Sequence, residues 1–172
     1  MELGARRTSF RELRAQVAVQ FLAWLESTAV SEWVRGSPSL FAFPGILSAH
    51  TVGMGLAAGI NAAIALRILG VAPNVPIGQM RSFLPAMWFG FWLNFFSGIG
   101  LLLGYPTKAL TNPDFYLKLA LIAAGVWLVG KIRDRIDEFP KGLAIWSLVC
   151  WGGAITAGRL LAYTYRHLMA GH

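Results

Sequence analysis

Three long runs of the chain, residues 36–66, 82–107 and 142–158, contain no Asp, Glu, Lys or Arg. Each is near or above the roughly 18 apolar residues that cross the hydrocarbon of a bilayer. The pattern predicts four spanning helices. The first lies near residues 40–67, opened by Ser37-Pro38 or Pro44, and the second near 84–104, stopped by Tyr105-Pro106. The third, near 114–132, begins after Asn112-Pro113 with Asp114 at its positive N-terminal end, and the fourth lies near 143–164. The predicted fold class is all-α: a transmembrane four-helix bundle in one integral membrane domain covering residues 1–172.

Ahead of these spans, Ser9 with Glu12 three residues on has the form of a capping box and predicts a helix over 9–34. At about 100° per residue, Ala18, Phe21, Leu22, Leu25, Ala29 and Trp33 share one arc, and Gln16, Gln20, Ser27 and Ser31 another. An apolar and a polar face flanked by Trp24 and Trp33 suit the membrane interface, although Glu26 and Glu32 interrupt both arcs. The alternative is a fifth span. Arginines precede this segment, but no apolar region follows them directly and no small-residue cleavage site is present, so the N-terminus reads as retained.

Composition and charge sharpen the picture. Of 172 residues, 56% are apolar and 13% charged, against about a quarter charged in an ordinary soluble domain. A soluble enzyme, a disulfide scaffold and a disordered chain are excluded; the one cysteine, Cys150, has no internal partner. A formal charge of +7 would otherwise suggest nucleic acid; here it reports topology and anionic headgroups, and nucleic acid is not an expected partner. Arg67 and Arg81 lie between the first two spans and Lys131, Arg133, Arg135 and Lys141 between the last two, whereas Lys108 alone occupies the middle connection. The positive-inside rule puts the first and last connections in the cytoplasm and both chain ends outside, in a multi-pass protein of the cell inner membrane. Arg6, Arg7, Arg11 and Arg14 fit that rule better with five spans, the helical wheel better with four.

A short helix containing WLE, a Ser-Pro start, "AHTVGMGLAAG…ALRILG" in the first span, "SGIGLLLGYP" closing the second and "NPDFYLKLALI" opening the third carry a family likeness. Over most of residues 20–165 the chain resembles an uncharacterised bacterial family of small four-helix integral membrane proteins. It is distantly similar to copper resistance D-like and related haem-associated four-helix membrane proteins. The resemblance implies four spans with an outer amphipathic helix and carries no activity with it. Where that family has Asp before its "LRLLG"-like element this chain has Ala65, which removes an ion partner for Arg67.

His50 is the one histidine inside a predicted span, and its imidazole suits haem iron or copper; Met54, one turn on, adds a soft sulfur for Cu(I). The competing reading is a histidine bonded to a neighbouring helix. Lys118 and Arg159 each fall about one turn inside the same end of the bundle as His50, with Tyr105, Tyr116 and Tyr163 at similar depth. Facing inward, His50, Lys118, Arg159 and Tyr163 would form a basic pocket for a haem propionate, a quinone oxygen or a lipid phosphate; facing outward, the cations would snorkel to headgroups. Asn61 and Asn94, at depth on the first two spans, suggest a register clamp. No nucleophile triad, HExxH, P-loop or dinucleotide fingerprint occurs. Redox, transport or assembly chemistry is left, and the absence of carboxylates within the spans makes a cation pathway poor. Two functions are therefore expected: a b-type haem- or quinone-interacting redox module, or a non-enzymatic structural or lipid-binding subunit of a larger membrane complex. Expected partners are membrane lipids and other membrane subunits or a second copy of the chain. Whether the chain is an enzyme stays open.

Overall fold

A computed structural model describes residues 2–169, with side chains placed for Phe10, Leu13 and residues 16–161. The described residues form helices and one 3-10 turn, with no strand among them. In chain order these are α1 (Glu2–Glu26), α2 (Ala29–Gly36), α3 (Phe43–Ile68), α4 (Ile77–Arg81), α5 (Leu84–Gly104), α6 (Pro106–Leu110), α7 (Pro113–Asp134), the 3-10 turn Ile136–Glu138 and α8 (Lys141–Met169). Four segments are long and apolar enough to cross a membrane: α3, α5 together with α4, α7 and α8. The chain is a small multi-pass integral membrane protein built as an all-α bundle, and each of the four spans falls where the charge-free runs and the Lys118–Lys131 segment place it.

Local chemistry accounts for the ends. Pro44 opens α3 and Pro113 opens α7, where the missing proline N–H leaves nothing unsatisfied. Asn112 Oδ1 accepts the backbone N–H of Asp114 at 2.9 Å. Arg67 turns back from α3 and donates to the carbonyls of Pro73 (2.9 Å) and Val75 (2.5 Å) in the following loop. With Ala65 in place of an acid, backbone oxygens serve as the partners of its guanidinium. Arg81 of α4 pairs with Asp137 of the 3-10 turn at 2.6 Å, joining the two loops at the arginine-rich end.

The N-terminal segment departs from the single helix expected over 9–34. Helix α1 already begins at Glu2, since residues 2–8 contain no proline and Glu2 suits a helix N-terminus. The helix then breaks at Ser27-Thr28. Thr28 is extended (ψ 146°) and its hydroxyl accepts the N–H of Ser31, so it caps a new helix rather than continuing the old one. That break resets the rotation, and the arc drawn through Phe21, Leu22, Leu25 and Trp33 is not one face. Leu22 and Leu25 are half-buried where α1 meets the bundle, whereas Phe21 and Trp33 are exposed. Ser31 and Val34 of α2 are buried against the end of α5, Val34 occupying the space left by Gly104.

The spans pack as two hairpins, α3 with α5 and α7 with α8, which meet chiefly through α3 and α8. Between α3 and α5 the contact is backbone to backbone: a Cβ on Gly53 would lie 2.5 Å from Asn94 N, and one on Gly90 would lie 2.9 Å from the Gly53 oxygen. Small residues let spanning helices approach this closely. Ile64, Ala65, Ile68, Ile132, Ile136 and Ala144 form the main core at the arginine-rich end. Ala57, Ala58 and Trp151 form a second cluster midway. Toward the opposite end, which carries α6, the first halves of α3 and α7 hold no buried residue before Gly53 and Gly125 respectively. The hairpins therefore share their core of large side chains at one end, while toward the other the buried positions of α8 are the small Ala154 and Ala157.

The expected Asn61–Asn94 clamp does not form. Asn61 faces α8, where Ser147 Oγ donates to its Oδ1 at 2.9 Å, and Asn94 faces α3 at the level of His50. Asn61 and Asn94 sit at different heights on antiparallel helices, so each amide finds a partner at its own level. A double-mutant cycle on Asn61→Leu and Ser147→Ala should give a coupling of about 0.6–1 kcal/mol, measured by thermal unfolding in detergent; zero coupling would show that the bond adds nothing.

Candidate functional site

His50 lies seven residues into α3, about 10 Å from the helix start at about 1.5 Å per residue. Its ring packs over Gly98 of α5, where any Cβ would come within 3.2 Å of Cε1. Nδ1 stands 3.0 Å from the Asn94 carbonyl oxygen and 3.2 Å from Ser97 Oγ. A carbonyl only accepts, so Nδ1 carries the proton and donates it. The lone pair is then on Nε2, which has no partner among the described residues. The Asn94 amide donates back to the His50 carbonyl at 3.3 Å, and Ser97 Oγ donates to Leu93 O at 2.6 Å. His50 is thereby fixed in tautomer and orientation by α5.

Lys118 reaches the same region from α7. It is half-buried, and its last carbons and Nζ lie 3.6 Å from where a Cβ on Gly158 of α8 would stand, so the side chain crosses α8 at a glycine. The ammonium is within electrostatic reach of His50. No ion pair or hydrogen bond to Lys118 occurs among the described residues. Glu26, a carboxylate at this end of the bundle, faces Arg35 at 3.9 Å and accepts the N–H of Thr107.

Of the remaining site residues, Arg159 is next to Gly158 on α8 but exposed, and it stands outside the His50–Lys118 pair. Met54 is half-buried one turn along α3 from His50. The side chain of Tyr163 lies outside the described residues. Tyr105 is edge-on to Phe43, and the Tyr116 hydroxyl donates to the Leu110 carbonyl at 2.9 Å, so both belong to the α6 end of the scaffold. Ser97 is the partner that sequence reasoning missed. Its signal was present, since Asn94 and Ser97 are three residues apart on a helix and share a face.

The chemistry open to this arrangement is a positive donor, Lys118, near a neutral acceptor, His50 Nε2. Among the described residues no group of three or more His, Cys, Asp or Glu could hold a metal ion. For a haem iron, His50 would supply one nitrogen ligand, its ring held by a backbone carbonyl as metal-bound histidines commonly are. The rest of the fit is poor: no second histidine joins it among the described residues, and the void where all four spans meet, lined by Ala57, Met87, Phe91, Val126 and Trp151, is only about 10 Å³. Compared with protein families, with characterised proteins and with solved structures, the chain matches none.

Proposed function

We propose that this membrane protein is a quinone-interacting module that holds the head of a quinone or quinol between its two hairpins, at the α6 end. The observation that carries the reading is a Lys118 ammonium and a His50 lone pair, both without a partner among the described residues, within electrostatic reach of one another. A quinone-type head supplies an oxygen that accepts from Lys118 and, in its reduced form, a hydroxyl that donates to His50 Nε2. A bare phosphodiester offers acceptors alone and leaves the histidine lone pair unmatched, whereas a quinol head matches both groups. Ionisable groups within spans are costly enough to be functional by default.

A second reading, a b-type haem on His50, draws on the Nδ1–H bond to Asn94 O, which would aim Nε2 at an iron. An optical spectrum of the purified protein separates the two, because haem gives a Soret band and quinone does not. For the quinone, solvent extraction of the purified chain followed by chromatography should recover a prenylated quinone. Lys118→Met keeps the stem and removes the charge. Retention should fall about tenfold or more, the worth of a hydrogen bond to a charged group. The thermal midpoint should hold or rise, since an unpaired ammonium leaves the span. Neither quinone nor haem in the wild-type protein, or equal retention in the folded variant, would defeat the reading and favour a non-enzymatic structural subunit.

A further inference from the structure

Helix α1 carries an apolar stripe that the bundle does not use. Phe10, Leu13, Val17, Phe21 and Trp24 fall within an arc of about 80° at about 100° per residue. All five are 55–70% exposed. Leu13, Val17, Ala18 and Phe21 border an open groove along this side. The helix meets the bundle elsewhere, through the half-buried Leu22, Leu25 and Glu26 near its C-terminal end, where Glu26 holds Arg35 and the N–H of Thr107. Leu22 and Glu26 are centred on the other side of the helix from the stripe.

Charge selects what covers the stripe. Arg7, Arg11 and Arg14 follow one flank of it and Arg6 lies in line with it, against Glu2 and Glu12 in the same stretch. The helix leaves the bundle next to α6 and the end of α5, the terminus of one of the four segments long and apolar enough to span. A second copy would bring the same four arginines together in a parallel pairing, whereas a bilayer is always at hand. We infer that α1 is a docking arm which lays Phe10, Leu13, Val17, Phe21 and Trp24 into the interface of a bilayer and sets its arginines on anionic phospholipid headgroups. This inference is independent of the His50–Lys118 site and stands or falls without it.

The test uses the full chain in a Cys150→Ala background, reconstituted into bilayers with or without phosphatidylglycerol, with single spin labels at Val17→Cys and at Val19→Cys about 200° round the helix. In anionic bilayers the label at 17 should collide with oxygen and be shielded from a water-soluble nickel chelate present on both sides; the label at 19 should show the reverse. Each basic residue near an anionic surface is worth about a fivefold change in binding. Replacing Arg7, Arg11 and Arg14 together by Gln should therefore weaken docking on the order of a hundredfold and expose the label at 17, as should pure phosphatidylcholine. Nickel access at 17 in anionic bilayers overturns the proposal. So does spin–spin broadening that vanishes on dilution with unlabelled chain, which would identify a second copy as the occupant. Shielding at 17 that is indifferent to lipid charge and to the arginines overturns the anionic preference.

Discussion

Gly90→Ala should lower the thermal midpoint of the detergent-solubilised protein markedly, and Gly90→Leu should abolish the native bundle. A Cβ at this position would lie 2.4 Å from the Leu56 Cβ, 2.9 Å from the Gly53 oxygen and 3.0 Å from the Ala57 nitrogen. The obstructing atoms belong to helix backbone and to a Cβ, so no side-chain rotation relieves them, and α3 and α5 must separate. Overpacking generally costs about 1–3 kcal/mol, and a backbone-to-backbone clash belongs at the upper end of that range. Separating these helices also breaks the bonds from His50 to Asn94 and Ser97. Gly59→Ala is the control: nothing lies within 4 Å of its Cβ position, and alanine favours helix by up to about 1 kcal/mol. A Gly90→Ala protein as stable as the wild type would show that the close α3–α5 crossing is not required.

Ile68→Ala should destabilise the protein by about 3 kcal/mol. Ile68 is 1% exposed and packs in the cluster with Ile64, Ile132, Ile136 and Ala144, the place where the two hairpins share a core. Removing its branched side chain opens a cavity between α3 and the α7–α8 hairpin. Ile145→Ala, at a position 50% exposed on α8, should change stability by less than about 0.5 kcal/mol. Unfolding in detergent measures both; equal effects would mean that the core at the arginine-rich end is not what joins the hairpins.

Position along each helix was legible in the sequence, and rotation about it was not. Charge-free runs and proline signals place the spans because a bilayer imposes one length on every helix that crosses it. Depth follows as directly, at a fixed rise per residue, which is why His50 and Lys118 could be set at one level. Which way a residue faces depends on the neighbouring helix, and an apolar span lacks the polar stripe that reveals facing in a soluble helix. Depth groups Arg159 with His50 and Lys118 although its side chain is exposed, and it groups Asn61 with Asn94 although Ser147 lies opposite Asn61. The break at Ser27-Thr28 was missed for another reason: two adjacent hydroxyl residues are tolerated within helices, and only the packing of Ser31 and Val34 against Gly104 makes the cap at Thr28 the better choice.

The uneven distribution of buried residues gives the bundle the mechanics of a clothes-peg. Its jaws are gripped by large side chains at the arginine-rich end and meet through the smaller Ala154 and Ala157 of α8 toward the end that holds His50 and Lys118. A seam between two spanning hairpins borders hydrocarbon along its length. A quinone held there, as proposed, would arrive by diffusion in the plane of the membrane, so its occupancy would be governed by its mole fraction among the surrounding lipids and not by its solubility in water.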